Sequence, residues 1–340
     1  MRETTARQRL GGLIAVASLV AAAGCGTATT SSPGTSDSGF KNDTGLLTAL
    51  SHVRSTKATR QYVAYGHVAA LRQVAGGGAA GSRYSSLQGH GYSHLAARSQ
   101  MLSKRTGIDP RTAQRAVAVG KPPQQAGRLQ GEFRTEKINK QLGTLTGSPK
   151  RSDQGGGTRW VWSDQGGLGR DVPFPYLMVL NVIQVSSESI SYGTGTEAVS
   201  WVTQPGNETL ADTQPHRAVG NCLGDVVSAT LAAPEGGGQA ELIGMGVRTA
   251  SNGQPVEVLC VAAASKDRAQ RIADAAVQQL KQGTTANHQP WSNLLSKPKA
   301  TVVGGESHIV RITARPTDGE KAGIFFSTFT KGQLQRLLHT

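Results

Sequence analysis

The sequence predicts an α+β fold in which antiparallel or mixed sheets pack against helices, and three observations lead to this prediction. Candidate strands occur as neighbouring pairs rather than alternating singly with helices, which argues against a regular βαβ sheet. Amphipathic helices lie between those pairs. The stretches "GEFRTEKINKQL" at 131–142 and "STFTKGQLQRLL" at 327–338 resemble each other, which favours two related lobes. The alternative is chance convergence on one strand-to-helix pattern.

The first elements are short. "NDTGLLTALSHVRST" opens with capping candidates and then carries apolar residues at helical spacing, Leu46, Leu47, Leu50 and Val53. "QYVAYG" is a candidate strand, and "HVAALRQVA" is a candidate helix that stops at Gly76. "YSHLAARSQMLSKRTG" predicts a helix ending at Gly107. Asp109-Pro110 is a helix-start signal and predicts a further helix in "PRTAQRAVAVG".

The middle of the chain predicts a strand, a helix and several more strands. The strand ends at Phe133, and the helix that follows has Thr135 as its predicted N-cap and carries Ile138 and Leu142. Strand candidates follow in "TRWVWS", "PYLMVLNVIQVS" and "ESISYG". The polar region "ETLADTQPHRAVGNCLGDVVSATLAAP" is predicted to be helical.

The last part has the clearest signals. "QAELIGMGVRT" and "PVEVLCVAAA" predict a hairpin whose turn contains Asn252-Gly253. "SKDRAQRIADAAVQQLKQG" predicts a helix capped by Ser265 and ended by Gly283. "SHIVRITARP" and "GIFFSTF" predict another strand pair before a closing helix.

The N-terminus has the layout of a secretory signal. Arg2, Arg7 and Arg9 precede an apolar run that ends at Ala23, shorter than the stretch of about 20 residues that a membrane span needs. The sequence Ala22-Ala23-Gly24-Cys25 then resembles the lipobox of bacterial lipoproteins, although Ala22 stands where Leu is usual. This resemblance covers about residues 1–40.

The lipobox resemblance implies cleavage before Cys25 and acylation of that residue, with the protein anchored to the outer face of the cell membrane. Residues 25–43 are predicted to be a flexible tether because residues 26–39, "GTATTSSPGTSDSG", contain no large apolar side chain. The richness in Ala, Gly and Arg, together with this tether, resembles actinobacterial envelope lipoproteins of unknown function. The alternative is cleavage near Ala23, which would release a freely secreted protein.

Two further cysteines, Cys222 and Cys260, lie in a chain predicted to reach a compartment where disulfides persist. One disulfide is therefore expected, and two separate buried thiols are the alternative. Two cysteines without further ligands at suitable spacing do not predict a metal site.

Positive charge is concentrated in the first half of the folded region. Residues 41–170 contain 20 basic and 6 acidic residues, whereas residues 171–340 contain 13 and 14. The candidate anion-binding residues lie in two consecutive predicted helices and are Arg98, Lys104, Arg105, Arg111 and Arg115. Outside a cell membrane the anions within reach are lipid headgroups or wall polymers, not nucleic acid. The alternative is a solvated basic surface without a ligand.

Several near-motifs fail as catalytic signals. "SDQGGGTRW" departs twice from the spacing of the Asp-box of sialidase-like propellers, so we interpret it as turns flanking a strand. His90 and His94 have zinc-like spacing but no nearby carboxylate, which favours a packing role. The Gly-x-Ser-x-Gly motif of serine hydrolases is absent, as are phosphate and dinucleotide loops, and no catalytic residue, metal or cofactor is assigned.

Together these features predict a signal peptide at 1–24, the tether at 25–43, a basic lobe at 44–205 and a C-terminal lobe at 206–340. The predicted function is binding or sensing at the cell envelope without catalysis, with anionic envelope components as candidate ligands. Two alternatives are an envelope hydrolase with dispersed catalytic residues and a structural lipoprotein that docks a partner through an apolar face.

Overall fold

The computed structural model describes residues 44–76, 81–154, 156–164, 173–174, 177–234, 240–304 and 307–338. These residues form one twelve-stranded antiparallel sheet in the order β11-β12-β10-β9-β8-β1-β2-β3-β7-β6-β5-β4. The strands are β1 Tyr62–Gly66, β2 Arg115–Val119, β3 Ala126–Gln130, β4 Lys150–Gln154, β5 Gly157–Val161, β6 Val182–Val185, β7 Ser189–Gly193, β8 Ser228–Ala232, β9 Ala240–Thr249, β10 Pro255–Ala263, β11 Leu295–Val303 and β12 His308–Pro316. The α+β prediction is confirmed.

Helices cover both faces of this sheet. They are α1 Gly45–Ser51, α2 Val68–Val74, α3 Ser93–Ala96, α4 Ser99–Thr106, α5 Thr135–Leu142, α6 Thr196–Thr203, α7 His216–Leu223, α8 Lys266–Gln282, α9 Trp291–Leu294, α10 Ile324–Thr330 and α11 Leu334–Leu338. Short 3-10 turns lie at Ser85–Leu87, Pro110–Thr112 and Met178–Leu180. No helix among these described residues is long and apolar enough to cross a membrane.

The sheet is built from two lobes with equivalent topology. Strands β1 and β8 pair within it, and the order outward is β1-β2-β3-β7-β6-β5-β4 on one side and β8-β9-β10-β12-β11 on the other, so the first five strands of each side correspond. In each lobe one helix precedes the first strand, α1 or α7, and another follows the third strand, α5 or α8. We call the part carrying β1–β7 lobe 1 and the part carrying β8–β12 lobe 2.

The sequence resemblance that first favoured two lobes does not follow this equivalence. Residues 131–142 lead into α5, which follows the third strand of lobe 1, whereas 327–338 cover the end of α10 and α11 after the last strand of lobe 2. The topological partner of α5 is α8. The two similar stretches, 131–142 and 327–338, therefore do not occupy equivalent positions in the two lobes.

Alternation along the strands divides the core between two faces. Val63 and Tyr65 of β1 belong to a cluster beneath α1, α6 and α7, which we call face A. Since neighbouring side chains point to opposite sides, Ala64 and Gly66 lie on face B. Face B carries two separate clusters, one around α3, α4 and α5 and one around α8, α10 and α11. The second cluster also includes Leu71, Ala75, Tyr84 and Leu87 from the connection between β1 and β2.

The predicted disulfide is confirmed. The sulfur atoms of Cys222 and Cys260 are 2.00 Å apart, and the bond joins α7 to β10 within the face A core. Both residues are fully buried. The disulfide holds the helix that precedes lobe 2 on the third strand of that lobe.

Three predicted elements were wrong, and long-range packing explains each of them. "PRTAQRAVAVG" forms a 3-10 turn and β2 rather than a helix, because β2 lies between β1 and β3 and buries Ala116 to Val119. "GIFFSTF" forms helix α10 instead of a strand, and β12 pairs with the unpredicted β11. The polar region before β9 contains α7 but also the central strand β8.

The predicted helix caps of α1 and α8 and the predicted β9–β10 turn are confirmed. Thr44 caps α1 by accepting the N–H of Leu47, and Ser265 caps α8 by accepting the N–H of Arg268. Gly253 lies in the β9–β10 turn with φ +78°, the left-handed conformation that suits glycine. The N-cap of α5 is Arg134 rather than the expected Thr135.

Candidate anion-binding cavity

The described residues of the connection between β1 and β2, 67–76 and 81–114, fold over face B and line a cavity of about 550 Å³. We call this connection the insertion and the space within it the insertion cavity. The described residues that line it are Val68, Leu71, Arg72, Gln88, Gly89, Tyr92, Ala96, Ser99 and Arg111. All of them come from the insertion, and this volume lies within the usual range for small-molecule sites.

The floor of the cavity is apolar because helix α2 is amphipathic. Val68 and Leu71 point into the protein and are 3% and 5% exposed, while Arg72, one position further on, is exposed. Tyr92 and Ala96 add an aromatic ring and a methyl group. The lining therefore combines buried apolar side chains with an exposed, charged one.

Two arginines supply the charge at the mouth. Asp109 accepts hydrogen bonds from Nε and Nη2 of Arg111, each at 2.8 Å, and from its backbone N–H at 3.0 Å. The Arg111 bonds keep the pKa of Asp109 below its usual value. Asp109 therefore binds the Nε and Nη2 side of the Arg111 guanidinium, and Nη1 takes no part in these three bonds. Nη2 of Arg72 donates to the Ala113 carbonyl at 3.4 Å.

Both arginines act on Tyr92 at the floor. Burial raises the pKa of the Tyr92 hydroxyl and the Asp109 carboxylate raises it further, whereas the charges of Arg111 and Arg72 lower it. The charges of Asp109, Arg111 and Arg72 therefore all act on the Tyr92 hydroxyl, and that of Asp109 has the largest effect of the three. One carboxylate against two guanidiniums leaves a net positive formal charge across these residues.

One wall of the cavity is the start of helix α4. Ser99 is its first residue, and no side chain caps its N terminus in the described structure. The N–H groups of a first helical turn carry partial positive charge. This wall therefore adds to the attraction of the arginines for an anion.

Residues 82–92, which we call the strap, connect the cavity to both lobes. Near its end, Gly91 has φ +80°, and a side chain there would collide with the Ala116 carbonyl of β2. A side chain at Gly66 of β1 would collide with the His90 carbonyl. Glycine at these two positions allows the strap to lie directly on the central strands.

The beginning of the strap is bonded to lobe 2. Arg83 donates from Nη2 to the carbonyls of Pro316 and Thr317, at 2.7 and 2.8 Å, and from Nε to that of Glu320 at 3.2 Å. The Tyr84 hydroxyl donates to the Gly253 carbonyl at 3.0 Å. The strap is therefore anchored on the second lobe before it returns to line the cavity through Gln88, Gly89 and Tyr92.

His90 makes the central contact of the strap with lobe 2. Its Nε2 lies 3.1 Å from Oγ1 of Thr230 on β8, and its ring centroid is 4.3 Å from that of Phe326 on α10. Burial lowers the pKa of His90 to about 4, so the imidazole is neutral at pH 7. His94 contacts Gln125 instead. The described residues contain no group of three or more metal-ligating side chains.

The structure separates the five predicted anion-binding residues. Arg98, Lys104 and Arg105 are exposed on α4, and Arg111 lies at the cavity mouth on the same side of the sheet. The guanidinium of Arg105 lies 4.9 Å from the Phe174 ring centroid.

Arg115 lies apart from this group because it begins β2 and shares the face A side of that strand with Val117 and Val119. A Cβ atom at Gly45 of α1 would lie 3.2 Å from its Nε. Burial raises the pKa of the neighbouring Tyr65 to about 12, against the opposing effect of the Arg115 charge. Arg115 therefore belongs to a different surface from the cavity.

Sequence reasoning missed Arg72, Gln88, Tyr92 and Ser99. Arg72 is a single basic residue in an otherwise apolar helix, a pattern that predicts only a solvated position. Its proximity to Arg111 depends on the course of the insertion, and local spacing does not encode that course.

The near-motif at 152–160 lies at the β4–β5 hairpin, as the turn-and-strand interpretation expected. Oδ1 of Asp153 accepts a hydrogen bond from Oγ1 of Thr158 across the hairpin at 3.1 Å. Gly155 and residues 165–167 of the second copy lie outside the described residues, as do the signal peptide, Cys25 and the tether.

Comparisons with known proteins add no relative to this description. No family model, no curated protein and no solved structure matches the chain.

Proposed function

We propose that this protein is a lipid-anchored extracytoplasmic binding protein that holds an anionic component of the cell envelope in its insertion cavity. The observation that carries the proposal is that two arginines, Arg72 and Arg111, line one cavity together with apolar side chains and without an acidic residue among the described lining residues. Arginine is suited to this role because it stays charged and binds carboxylate or phosphate oxygens with two N–H groups.

The signal-like N-terminus and the Cys25 lipobox support the location. The Cys222–Cys260 disulfide is consistent with an oxidising compartment. An anchor at Cys25, followed by a short tether, would hold the folded region beside lipid headgroups and wall polymers. Those are the anions that such a protein meets.

The lining of the cavity favours binding over catalysis. Among the described lining residues there is no His, Cys, Asp or Glu to act as a base or metal ligand. Asp109 carries the carboxylate nearest to Arg111 in sequence. This carboxylate already accepts three hydrogen bonds from Arg111. Arg72 and Arg111 can hold a charge, but neither can remove a proton at neutral pH.

Docking through an apolar surface has less support. Among the large apolar side chains of the described residues, Met178 alone is exposed, at 38%. A single side chain does not form the contiguous patch that a partner-docking face needs.

Co-sedimentation tests the proposed ligand class. The Cys25→Ser chain, which lacks the acylated thiol and so cannot bind vesicles through the anchor, is mixed with purified cell walls, anionic vesicles and neutral vesicles over a salt series. We expect binding to an anionic material that weakens as salt rises. Changing Arg72→Gln and Arg111→Gln together should weaken it at least about tenfold, since each removes a charge-assisted hydrogen bond.

The matched control is Arg271→Gln, which removes an exposed arginine from α8 in lobe 2. It should bind like the unchanged protein. Equal losses in both variants would mean that net charge, and not the cavity, is responsible. No binding to any anionic material at physiological salt would contradict the proposal.

The anchor is tested separately by Cys25→Ser. We expect this variant to leave the membrane fraction because the acylated thiol is lost, with lobe stability unchanged. Fractionation and mass measurement of the lipid modification provide the readout. Retention in the membrane without a lipid on Cys25 would refute the anchor and leave the cavity proposal to its own test.

A further inference from the structure

We propose that the ligand of the insertion cavity is an amphiphile whose anionic group lies between Arg72 and Arg111 and whose apolar part covers the cavity floor. This inference rests on the proposed function and narrows its ligand class. The shared chemistry is a phosphate or carboxylate attached to a hydrocarbon segment, whether it comes from a membrane lipid or from a lipid-linked wall precursor.

The charged lining residues are more exposed than the apolar ones. Arg72 and Arg111 are exposed, whereas Val68, Leu71 and Tyr92 are 3–6% exposed and Ala96 is half-buried. A fully hydrophilic anion would leave this carbon surface in contact with water. A hydrocarbon segment would displace that water, and burying apolar surface is the main favourable term in such binding.

The floor offers few partners for a polyhydroxyl ligand. Among the described lining residues, hydrogen-bonding side chains other than the arginines are limited to Gln88, Tyr92 and Ser99. The lone tyrosine is the only aromatic residue in that set, whereas sugar-binding grooves draw much of their binding energy from aromatic faces. An alkyl segment suits the floor better than a glycan.

Two other cavities provide a contrast. The one between α8 and β11 carries Lys281 together with Asp274, and the one between α1 and α7 carries Arg217 together with Asp212. In both, the lining balances a base with an acid. The described lining of the insertion cavity has two basic residues and no acidic residue. Asp109, which is not part of that lining, accepts hydrogen bonds from Arg111.

A chain-length series tests the inference directly. The full chain, held in neutral-lipid nanodiscs, is titrated by calorimetry with glycerol 3-phosphate and with water-soluble monoacyl glycerol phosphates of increasing chain length. Empty nanodiscs provide the background. Affinity should rise about threefold to fourfold for each methylene buried and then level off when the floor is covered.

Two substitutions separate the apolar part from the charge. Ala96→Leu places carbon in the floor and should remove the dependence on chain length while keeping the binding of glycerol 3-phosphate. Arg111→Gln should weaken every member of the series by the same factor. Ala97→Leu changes the exposed neighbour of Ala96 and should leave the series unchanged. Thermal unfolding checks that each variant is folded.

The chain-length series measured on the unchanged protein tests the amphiphile proposal even if a variant fails to fold. Binding of glycerol 3-phosphate with no gain from longer chains would overturn the amphiphile and leave the proposed anion binding intact. Equal affinity for uncharged monoacylglycerols would overturn the anionic requirement. If no compound binds, and cell walls and vesicles show no dependence on Arg72 and Arg111, the proposed function fails as well.

Discussion

Lobe 1 and lobe 2 share a strand order, yet they cover face B in different ways. Lobe 2 joins its first two strands through residues 233–239 and then packs the long helix α8, Lys266–Gln282, on the sheet. Lobe 1 joins the equivalent strands through the insertion and has only the short α5, Thr135–Leu142, in the place of α8. The insertion cavity therefore lies in a connection that is long in lobe 1 and short in lobe 2.

The lobes also differ in how the helix before their first strand is held. In lobe 2 a disulfide joins α7 to the third strand. In lobe 1 the equivalent helix α1 is held by apolar packing of Leu46 and Leu50, without a covalent bond in the described structure. Lobe 2 is therefore the more strongly cross-linked half, while lobe 1 carries the cavity.

The largest expected effect comes from removing that cross-link. Changing Cys222→Ser and Cys260→Ser should lower the free energy of unfolding by about 4 kcal/mol, on the chain-entropy estimate for a separation of 38 residues. Urea unfolding of the variant and the parent measures this difference. Cys25→Ser is the control and should unfold like the parent. An unchanged midpoint in the double variant would show that packing alone holds α7 to β10.

A second prediction concerns the buried carboxylate of lobe 2. Glu257 on β10 is fully buried, and its two oxygens accept the N–H groups of Gly323 and Phe325 at the start of α10. Changing Glu257→Ala leaves those donors unpaired and should destabilise the protein by about 2–3 kcal/mol. Thermal unfolding of the variant beside Asp267→Ala, an exposed acidic residue of α8, provides the comparison.

The same residue predicts a dependence on pH. Burial raises the pKa of Glu257 from its ordinary value of 4.5 to about 7, against the opposing effect of the backbone N–H bonds. The folded state therefore holds a proton that the unfolded state has lost between those values. Stability contributed by this group is fully present below about pH 4.5 and is lost, by up to about 3 kcal/mol, as pH rises through 7. Glu257→Gln should remove this part of the pH profile, and an identical profile would contradict the assignment.

The smallest expected effect tests the link between the lobes. His90→Ala removes the Thr230 contact and the packing on Phe326, and should cost about 1–2 kcal/mol of stability. Because the strap also lines the cavity, we expect ligand affinity to fall a few-fold. His288→Ala, outside the strap and lobe 1, is the control. Unchanged affinity together with reduced stability would show that the strap joins the lobes without shaping the cavity.

His90 also gives a pH signature of opposite sign to that of Glu257. Burial lowers its pKa from 6.5 to about 4, so the unfolded state takes up a proton that the folded state excludes. Its contribution is present above about pH 6.5 and is lost as pH falls toward 4. Comparing His90→Ala with Glu257→Gln across pH 4–7 separates the two contributions.

Much of the fold was predictable because its signals are local. The caps of α1 and α8 and the β9–β10 turn are encoded within a few residues, and the sequence predicted them. The helix at α10 was mistaken for a strand because "GIFFSTF" is rich in aromatic and β-branched residues. The N–H of Gly323 at the start of this helix donates to the buried Glu257, which is 66 residues away in sequence, so local spacing gives no sign of that partner.

The candidate site was predictable only in part. The concentration of positive charge before residue 170 predicted a site in the lobe that holds the insertion cavity, and the predicted residues included Arg111. Arg115 was grouped with Arg111 because both were predicted to lie in helices. Arg115 instead begins strand β2, where its side chain lies on face A and away from the cavity on face B. Arg72 carried no recognisable signal.

By itself, the sequence determined the α+β class, the pairing of Cys222 with Cys260, the basic first half and the expectation of an anchored, exported protein. Periodicity, capping residues, cysteine count and composition act over short distances or over the whole chain, so they can be read without coordinates. Only the tertiary structure decided the course of the insertion, since the bonds that direct it, such as Arg83 to Pro316, span 233 residues. The placement of Arg72 beside Arg111 above an apolar floor follows from those distant contacts, and no local pattern encodes it.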